Sequence, residues 1–426
     1  MLTKKQIELV KATVPVLREH GVALTSHFYK RMLSHNPELR QVFNMGHQRA
    51  GFQQQALAGA VLAYAENIEN LQPLLGAVAH IANKHVSVGI RAEHYPIVGK
   101  HLIASIKEVL GEAATDELLD AWAAAYSQLA DILIETEKSI YDKNAVAEGG
   151  WTGWRFFKVS EKSRQTDDVT SFKLVPIDHG KMPKIKAGQY ISVRVFVKGQ
   201  ELVQPRQYTV VNTDSTSLTI AVKKIEADEK SPAGMVSNTL HNQINEGDVV
   251  EVSFPVGEFN LPAGNGKLCL LSAGIGITPL FAMLKEAVRK DPTRKIFFIH
   301  VCKSKEAIPF SGEIDLLVKE GAVTFEVFET SVHGRPSEDF FKNIAEKNTD
   351  YCVCGPVSFM KLAAAELVKN GVSENKIHAE KFGTRYLIWL ALLQFSLNKK
   401  KLEDNSSKGL LQNSLDFRGF CQSLFF

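Results

Sequence analysis

The spacing of apolar residues changes twice along this 426-residue chain, and that change constrains the fold more than any other feature of the sequence. From residue 1 to about 141, apolar residues recur every three or four positions, as they do on one face of a helix. One such stripe runs through Leu118, Trp122, Tyr126, Leu129 and Leu133. Because strand-like alternation is absent from this stretch of sequence, we predict an all-helical domain over residues 1–141.

A pair of glycines, Gly149 and Gly150, interrupts the helical spacing and marks a boundary, because glycine is a poor helix former. Beyond it the period becomes two, as at Ile191, Val193 and Val195, which is typical of strands with one buried face. Short strands separated by turn residues indicate a small antiparallel β-barrel, which we predict over residues 151–262.

From residue 267 onward, strand-like and helix-like segments alternate. Strands are predicted at 268–272, 296–301 and 351–354, and helices at about 280–289 and 358–369. Such alternation is typical of an α/β domain with a parallel sheet, predicted here over residues 267–383. A multidomain chain is also what this length favours. Residues 384–426 have no readable pattern and are interpreted as an atypical tail.

Composition and the N-terminal sequence argue against several kinds of protein. Lys and Arg (50) nearly balance Asp and Glu (47), so nothing indicates a nucleic-acid or membrane-surface partner. The longest apolar stretch, 386–397, is shorter than the roughly 20 residues of a membrane-spanning helix. The chain starts with a helix capping box, Thr3 and Gln6, and not with a secretion signal. Its five cysteines lack metal-site spacing, so we expect reduced thiols in a cytoplasm. We also expect a monomer without a membrane span.

Three polar residues, His85, Tyr95 and Glu137, lie on apolar stripes of three different predicted helices. A buried imidazole or carboxylate is costly without a partner, so we expect the three to share one site. A histidine whose second ring nitrogen donates to a carboxylate is an electron-rich metal ligand. A single histidine on such a face is more often a core residue bonded to backbone, and it is the coincidence of three polar residues that favours a metal site.

Two further polar side chains occupy apolar positions earlier in the chain. Tyr29 follows Phe28, and Gln53 lies four residues before Leu57 on a face that should be buried. Taken singly, such residues are more often hydrogen-bonded core groups, and Phe43 alone would be ordinary core.

Together these residues resemble the globin part of the flavohaemoglobin family, in the segments 25–29, 36–39, 43–45 and 82–85. The resemblance implies a haem b site in which His85 is the iron ligand. It implies the other roles as follows: Phe43 packing on the haem, Tyr29 and Gln53 as donors to bound dioxygen, Leu57 shaping the pocket, Tyr95 and Glu137 in the proximal hydrogen-bond network, and Lys84 at the haem edge facing the flavin.

The string Arg206-Gln207-Tyr208-Thr209 fits the R-x-Y-[ST] pattern of the ferredoxin reductase family. An arginine can grip the FAD pyrophosphate, a tyrosine ring can cover the flavin, and a hydroxyl can bond near its reactive nitrogen. The alternative is a strand edge with an exposed arginine. Segments ending at Tyr190 and spanning 234–238 resemble further flavin-contacting parts of that family. Flavohaemoglobins usually have serine where this chain has Thr209, which keeps the hydroxyl.

The loop Gly274-Ile275-Gly276-Ile277-Thr278-Pro279 joins a predicted strand to a predicted helix, so its N–H groups can face a pyrophosphate. It differs from the G-x-G-x-x-G fingerprint, and a structural turn is an equal alternative. In the reductase family this loop serves NAD(P)H, and Cys354-Gly355 matches the second nicotinamide loop. The alternative for Cys354 is a buried small residue.

The segment Glu380-Lys381-Phe382-Gly383 resembles the family's ending, in which the aromatic ring covers the remaining flavin face. The family continues there with proline, whereas this chain has Thr384 and runs on to Phe426.

The whole resemblance implies a nitric oxide dioxygenase. Such an enzyme passes electrons from NAD(P)H through FAD to haem, converts NO and O2 to nitrate, and serves nitric oxide detoxification. Two alternatives stay open. One is a globin that binds or senses O2 or NO without turnover, and the other is a general NAD(P)H-dependent flavin or haem reductase.

Overall fold

The computed structural model describes residues 2–229, 232–380 and 382. Its N-terminal part is helical, as predicted, and the Thr3–Gln6 capping box is present at the first helix. The helices are α1 (Lys4–Ala12), α2 (Val14–His35), α3 (Met45–Arg49), α4 (Phe52–Glu66), α5 (Leu75–Val88), α6 (His94–Leu110) and α7 (Asp116–Val146), with short 3-10 turns at Pro37–Gln41, Gln72–Leu74 and Gly111–Ala113.

Two glycines allow the turns and close packing that shape this helical part. Gly89 ends α5 in the left-handed conformation (φ 81°), as is usual at a helix C-terminus. Gly99 on α6 lets α7 approach closely, because a Cβ there would lie 2.5 Å from Cε1 of Tyr126. Residues of α5, the start of α6 and the middle of α7 line one cavity.

A closed antiparallel barrel follows, which confirms the prediction for the middle of the chain. Its strand order is β1-β2-β5-β4-β3-β6, and β1 pairs with β6 to close it. The strands are β1 (Trp154–Arg164), β2 (Val169–Pro176), β3 (Tyr190–Val197), β4 (Leu202–Thr213), β5 (Leu218–Lys223) and β6 (Val249–Ser253), with helix α8 (Met235–Asn242). Helix α7 ends before the glycine pair and β1 begins after it, so the pair lies in the connection, while the domain boundaries stay predictions.

The last part is a parallel five-stranded sheet in the order β11-β10-β7-β8-β9, again as predicted. Its strands are β7 (Leu268–Ala273), β8 (Ile296–Cys302), β9 (Thr324–Glu329), β10 (Asp350–Cys354) and β11 (Ile377–Glu380). Its helices are α9 (Ile277–Lys290), α10 (Ser311–Lys319), α11 (Thr330–His333), α12 (Glu338–Ile344) and α13 (Val357–Lys369), with 3-10 turns at Gly274–Gly276, Lys305–Ala307 and Glu374–Lys376. Helix α9 begins three residues earlier than predicted, because Pro279 sits in its first turn instead of before it.

The barrel and the helical part are joined by a buried side chain, Gln204, on β4. Its amide nitrogen donates to the carbonyl oxygen of Arg40 (2.7 Å), and its oxygen accepts from the backbone N–H of Met45 (3.0 Å). Gln204 is fully buried, so both contacts are shielded from water. A second contact runs from the N–H of Gly257 to Oδ1 of Asn83 (3.1 Å).

The cysteines and the helices add two observations. Cys269, Cys302, Cys352 and Cys354 are buried and unpaired, and Cys421 lies outside the described residues. Within the described part of the chain, no helix is both long and apolar enough to cross a membrane.

Candidate functional site

A cavity of about 330 Å³ lies inside the helical part, between α2, α4, α5, α6 and α7. Its lining includes most of the globin-site residues predicted from the sequence: Tyr29, Phe43, Gln53, Leu57, Lys84, His85 and Tyr95. Glu137 is not on the cavity wall and lies behind His85. Two lining residues, Pro205 and Gln207, come from strand β4 of the barrel, so the cavity reaches the second domain.

The proximal wall of the cavity is a hydrogen-bonded triad. Nδ1 of His85 lies 2.7 Å from Oε1 of Glu137, and the hydroxyl of Tyr95 donates to the same oxygen (2.5 Å). Glu137 is 2% exposed and Tyr95 8%. The three residues therefore share one site, as the sequence predicted.

Burial and the neighbouring Glu137 carboxylate raise the pKa of Tyr95 well above its ordinary value, so the phenol stays a hydrogen-bond donor. With Nδ1 of His85 bonded to the carboxylate, Nε2 is the ring nitrogen left for a ligand in the cavity. A half-buried imidazole held in this way, on an otherwise apolar wall, fits the single axial ligand of a haem iron.

Tyr29 forms the opposite wall. Its ring is edge-on to Phe43, with centroids 5.8 Å apart, and burial raises its pKa far above the ordinary value. Among the described residues, no partner accepts a hydrogen bond from its hydroxyl. A buried, unpartnered donor in an apolar cavity fits a polar ligand.

Gln53 also lies on this wall, and a neighbour that sequence reasoning missed holds it. Nε2 of Gln48 donates to Oε1 of Gln53 (2.5 Å). Gln48 is only 9% exposed and belongs to the five-residue helix α3, which is too short to show a periodic signal.

The predicted flavin segment occupies neighbouring strands of the barrel. On the β3–β4 ladder Tyr190 pairs with Thr209, and Tyr208 pairs with Ile191. Burial raises the pKa values of Tyr190 and Tyr208 and lowers the pKa of Arg206 to about 10. The Arg206 guanidinium donates to its neighbour's carbonyl and has no ion pair with a described residue. A desolvated arginine without a carboxylate partner fits a pyrophosphate.

Two charged groups, Lys84 on the wall of the haem cavity and Glu380 at the end of β11, interact electrostatically. Burial lowers the pKa of Lys84 to about 8, although attraction to Glu380 opposes this and Arg206 adds to it. Burial raises the pKa of Glu380 to about 7, and Lys84 opposes that shift. Nε2 of Gln207 lies 3.4 Å from Oγ of Ser87, whose hydroxyl donates to the carbonyl of Lys84. Ser87 is a second residue that the sequence did not single out.

The two predicted nicotinamide loops meet at the carboxyl edge of the parallel sheet, where ligands bind in open α/β folds. A Cβ on Gly276 would lie 2.3 Å from the carbonyl oxygen of Cys354, so the two backbones are in contact. Cys354 pairs with Ser272 on one side and with Glu380 on the other. It is fully buried, and burial raises its pKa well above the ordinary value, so its thiol stays protonated.

The end of the described chain gives one further position. Phe382 is 44% exposed, so its ring is accessible at the end of the described chain. Lys381 and Gly383 were predicted site residues and lie outside the described residues, as do residues 384–426.

Comparison with known protein families divides the chain in the same way. Residues 26–133 match the Globin family, residues 156–261 match the oxidoreductase FAD-binding domain, and residues 270–365 match the oxidoreductase NAD-binding domain.

Relatives match along nearly their whole length. The chain is 50% identical to a flavohemoprotein of Bordetella pertussis over 90% of this chain and 99% of that protein. It is 40% identical to a flavohemoprotein of Bacillus subtilis, over 90% of this chain and 98% of that protein. A crystal structure of a flavohemoglobin from Malassezia yamatoensis, with bound FAD and haem, is 30% identical with a TM-score of 0.80, covering 90% of this chain and all of that one. The chain therefore belongs to the flavohaemoprotein family and is an oxidoreductase that uses haem, FAD and a nicotinamide nucleotide.

Proposed function

We propose that this oxidoreductase is a nitric oxide dioxygenase, which converts NO and O2 to nitrate and detoxifies nitric oxide. The observation that carries the proposal is one cavity with three features: the Tyr29 hydroxyl, which no other described residue engages, a carboxylate-bonded histidine, and strand β4 of the reductase at its edge. When bound, haem supplies the iron at which dioxygen meets nitric oxide, and FAD divides the two electrons of a hydride into single electrons.

Tyr29 and Gln53 act as the donors of the distal wall. Negative charge on a ligand oxygen is stabilised by fixed donors in a water-poor site, where hydrogen bonds are stronger than in water. The Tyr29 hydroxyl has no competing partner among the described residues. Gln53 can donate from its NH2 group to a ligand, because its oxygen is already bonded to Gln48. Leu57 and Phe43 make the rest of this wall apolar.

His85 provides the iron ligand, and the residues behind it control its basicity. Glu137 accepts from Nδ1–H and gives the imidazole partial imidazolate character, which favours the oxidised metal. Tyr95 donates to the same carboxylate oxygen and so limits this electron donation.

In the reductase half, Arg206, Tyr190, Tyr208 and Thr209 hold the flavin, and Gly274–Pro279 with Cys354 and Gly355 hold the nicotinamide end of the nucleotide. The close approach of Gly276 to Cys354 keeps the two loops at a fixed separation at the sheet edge. Lys84 of the globin part and Gln207 of the reductase half both line the haem cavity, and Glu380 interacts electrostatically with Lys84.

Turnover of the purified holoprotein tests the proposal. With a nicotinamide nucleotide, O2 and NO, we expect two nitrates for each nucleotide oxidised, because a hydride carries two electrons and each nitrate requires one. Nucleotide oxidation without loss of NO would support a general reductase instead. Binding of O2 or NO without nucleotide oxidation would support a sensor.

The variant Tyr29→Phe tests the distal wall. Loss of the hydroxyl should speed dioxygen release by about tenfold or more, the scale of one hydrogen bond to a charged acceptor, and should lower nitrate production. Tyr64→Phe is the matched control, since Tyr64 lies on the same cavity but already donates to the carbonyl of Ala125 (3.0 Å). Unchanged dioxygen release in Tyr29→Phe would count against the assignment.

A further inference from the structure

We propose that Gln48, supported by Gln54, is a positioning residue that fixes the carboxamide of Gln53 with its NH2 group toward the haem cavity. This proposal takes only one assumption from the proposed function: the ligand in the cavity is stabilised by a hydrogen-bond donor. The proposal follows from the contacts of three amide side chains on α3 and α4.

The three amides form a continuous chain of hydrogen bonds. Nε2 of Gln54 donates to Oε1 of Gln48 (3.0 Å) and to the backbone carbonyl oxygen of Gln48 (3.1 Å). Nε2 of Gln48 donates in turn to Oε1 of Gln53 (2.5 Å). Gln53 is the member of the chain that lines the cavity.

A backbone carbonyl fixes the polarity of this chain. The carbonyl oxygen of Gln48 can only accept, so the Gln54 atom beside it must be the nitrogen. That nitrogen also faces the Gln48 side chain, which must present its oxygen there and its NH2 group to Gln53. Gln53 must then meet Gln48 with its oxygen. The only orientation of Gln53 consistent with both bonds turns its NH2 group away from Gln48.

Helix α2 lies against the backbone of Gln54, the residue at the far end of the chain of amides. Oγ1 of Thr25 lies 2.9 Å from the backbone carbonyl oxygen of Gln54, and it is also within 3.2 Å of the carbonyl oxygens of Gly21 and Val22 on its own helix. Thr25 is only 1% exposed. Thr25 precedes Tyr29 by four residues, so the two lie on the same side of α2. The helix that supplies the tyrosine donor thus also contacts the backbone of Gln54, the residue at which the chain of amides starts.

Orientation matters because the two ends of a carboxamide have opposite effects on the ligand. The terminal torsion of glutamine has a broad, roughly two-fold profile, so an isolated Gln53 would present either its nitrogen or its oxygen. An NH2 group stabilises negative charge on a bound diatomic ligand, whereas a carbonyl oxygen repels it. Gln48 disfavours the arrangement in which the Gln53 oxygen faces the cavity, because the NH2 groups of Gln48 and Gln53 would then face each other.

The experiment compares Gln48→Glu with Gln48→Leu in haem-loaded protein. A carboxylate can only accept, so in Gln48→Glu we expect Gln53 to turn its NH2 group toward position 48 and its oxygen toward the cavity. Gln48→Leu should leave Gln53 in both orientations. The readout is the infrared C–O stretch of carbon monoxide bound to the ferrous protein, which rises when a donor is replaced by an acceptor.

We expect one band at higher frequency for Gln48→Glu, a split or broadened band for Gln48→Leu, and dioxygen release accelerated by about tenfold in Gln48→Glu. Gln55→Leu, which changes the next amide on α4 and whose side chain forms no hydrogen bond to Gln48, Gln53 or Gln54, should keep the original band. The Soret band checks that each variant binds haem, and the neutral Gln48→Leu keeps the test decisive if the charged variant does not fold.

A double variant separates orientation from the added charge. In a Gln53→Leu background, neither Gln48→Glu nor Gln48→Leu should produce the shift seen with Gln53 present. An unchanged band in both single variants, or an equal shift without Gln53, would overturn the proposal. The carbon monoxide complex forms without turnover. A band shift in a protein that makes no nitrate would therefore support the orienting role of Gln48 and refute only the dioxygenase function.

Discussion

The bond between His85 and Glu137 is the contact that most directly controls the metal. Replacing the carboxylate by a neutral amide in Glu137→Gln should weaken electron donation to the imidazole. If the ferric form loses about 1.4 kcal/mol of stabilisation relative to the ferrous form, the haem reduction potential becomes about 60 mV more positive. Spectroelectrochemical titration of the haem measures this directly.

Glu135→Gln is the matched control for that variant. Glu135 lies on the same helix, is exposed, and is not bonded to His85, so its replacement should leave the potential unchanged. A potential in Glu137→Gln that equals the unsubstituted protein's would mean that the carboxylate has no electronic role.

At the scale of single residues, the sequence predicts well which residues of long helices are buried. His85, Tyr95 and Glu137 each interrupt an apolar stripe, and the 3.6-residue period is enough to place all three inside. Gln48 and Ser87 could not be found in this way. Gln48 is in a helix of five residues, and Ser87 is a small residue whose role depends on Gln207, which is 120 positions away.

At the scale of secondary structure, the nicotinamide end depends on two loops that touch. Gly276→Ala would place a methyl group 2.3 Å from the carbonyl of Cys354 and force the loops apart. We expect a loss of about 1–3 kcal/mol of stability, typical of overpacking, and a KM for the nucleotide raised by about tenfold. Thermal unfolding and a nucleotide titration of flavin reduction measure the two effects.

Gly312→Ala provides the comparison, because a Cβ there meets no atom within 4 Å and Gly312 lies in helix α10. That variant should be neutral or slightly stabilised, by up to about 1 kcal/mol. Equal nucleotide affinity in the Gly276 and Gly312 variants would show that the loop contact does not position the nucleotide.

The sequence predicts the order and type of the main elements but misses some short ones. Strand β11 is four residues long, Ile377–Glu380, and gives too few positions to define a period. Helix α9 was predicted to begin at about residue 280, because a glycine- and proline-containing segment favours a loop. Burial of Ile277 and Thr278 overrides that local preference.

At the scale of the whole molecule, Gln204 fixes the barrel to the globin part. In Gln204→Leu, the carbonyl of Arg40 and the N–H of Met45 lose their partner in a buried interface. We expect slower electron transfer from flavin to haem and unchanged reduction of a soluble acceptor such as ferricyanide. Gln243→Leu, at an exposed position of the barrel domain, should change neither rate. An equal fall in both rates would assign Gln204 to flavin binding instead.

The charged pair at the same interface predicts a pH dependence. Below pH 7 Glu380 is protonated and Lys84 is charged, so the pair carries a positive charge; above pH 8 it carries a negative one, in keeping with pKa values of about 7 and about 8. Positive charge favours adding electrons to a nearby flavin, so its reduction potential should fall more steeply than usual between these limits. Glu380→Gln should remove the extra fall in potential near pH 7, whereas Glu374→Gln, at an exposed position, should keep it. A potential with the ordinary slope in both variants would argue against the pair.

Contacts between domains could not be predicted from this single sequence. Periodicity reports which face of an element is buried but not which partner covers it. Gln204 lies on β4, the same strand that carries the flavin motif, so nothing in its sequence context indicates a contact with another domain. The position of Gln207 on the haem cavity emerges only when the barrel and the helical part are seen together.

The central claim is that nicotinamide, flavin and haem sites of one chain form a single electron path. Stopped-flow mixing of the oxidised holoprotein with NADH or NADPH, in the absence of oxygen, tests it most directly. We predict that flavin absorbance falls first and that the haem Soret band then shifts to the ferrous form, at a rate independent of protein concentration. Haem that stays ferric beside a reduced flavin, or a haem rate proportional to protein concentration, would contradict the account.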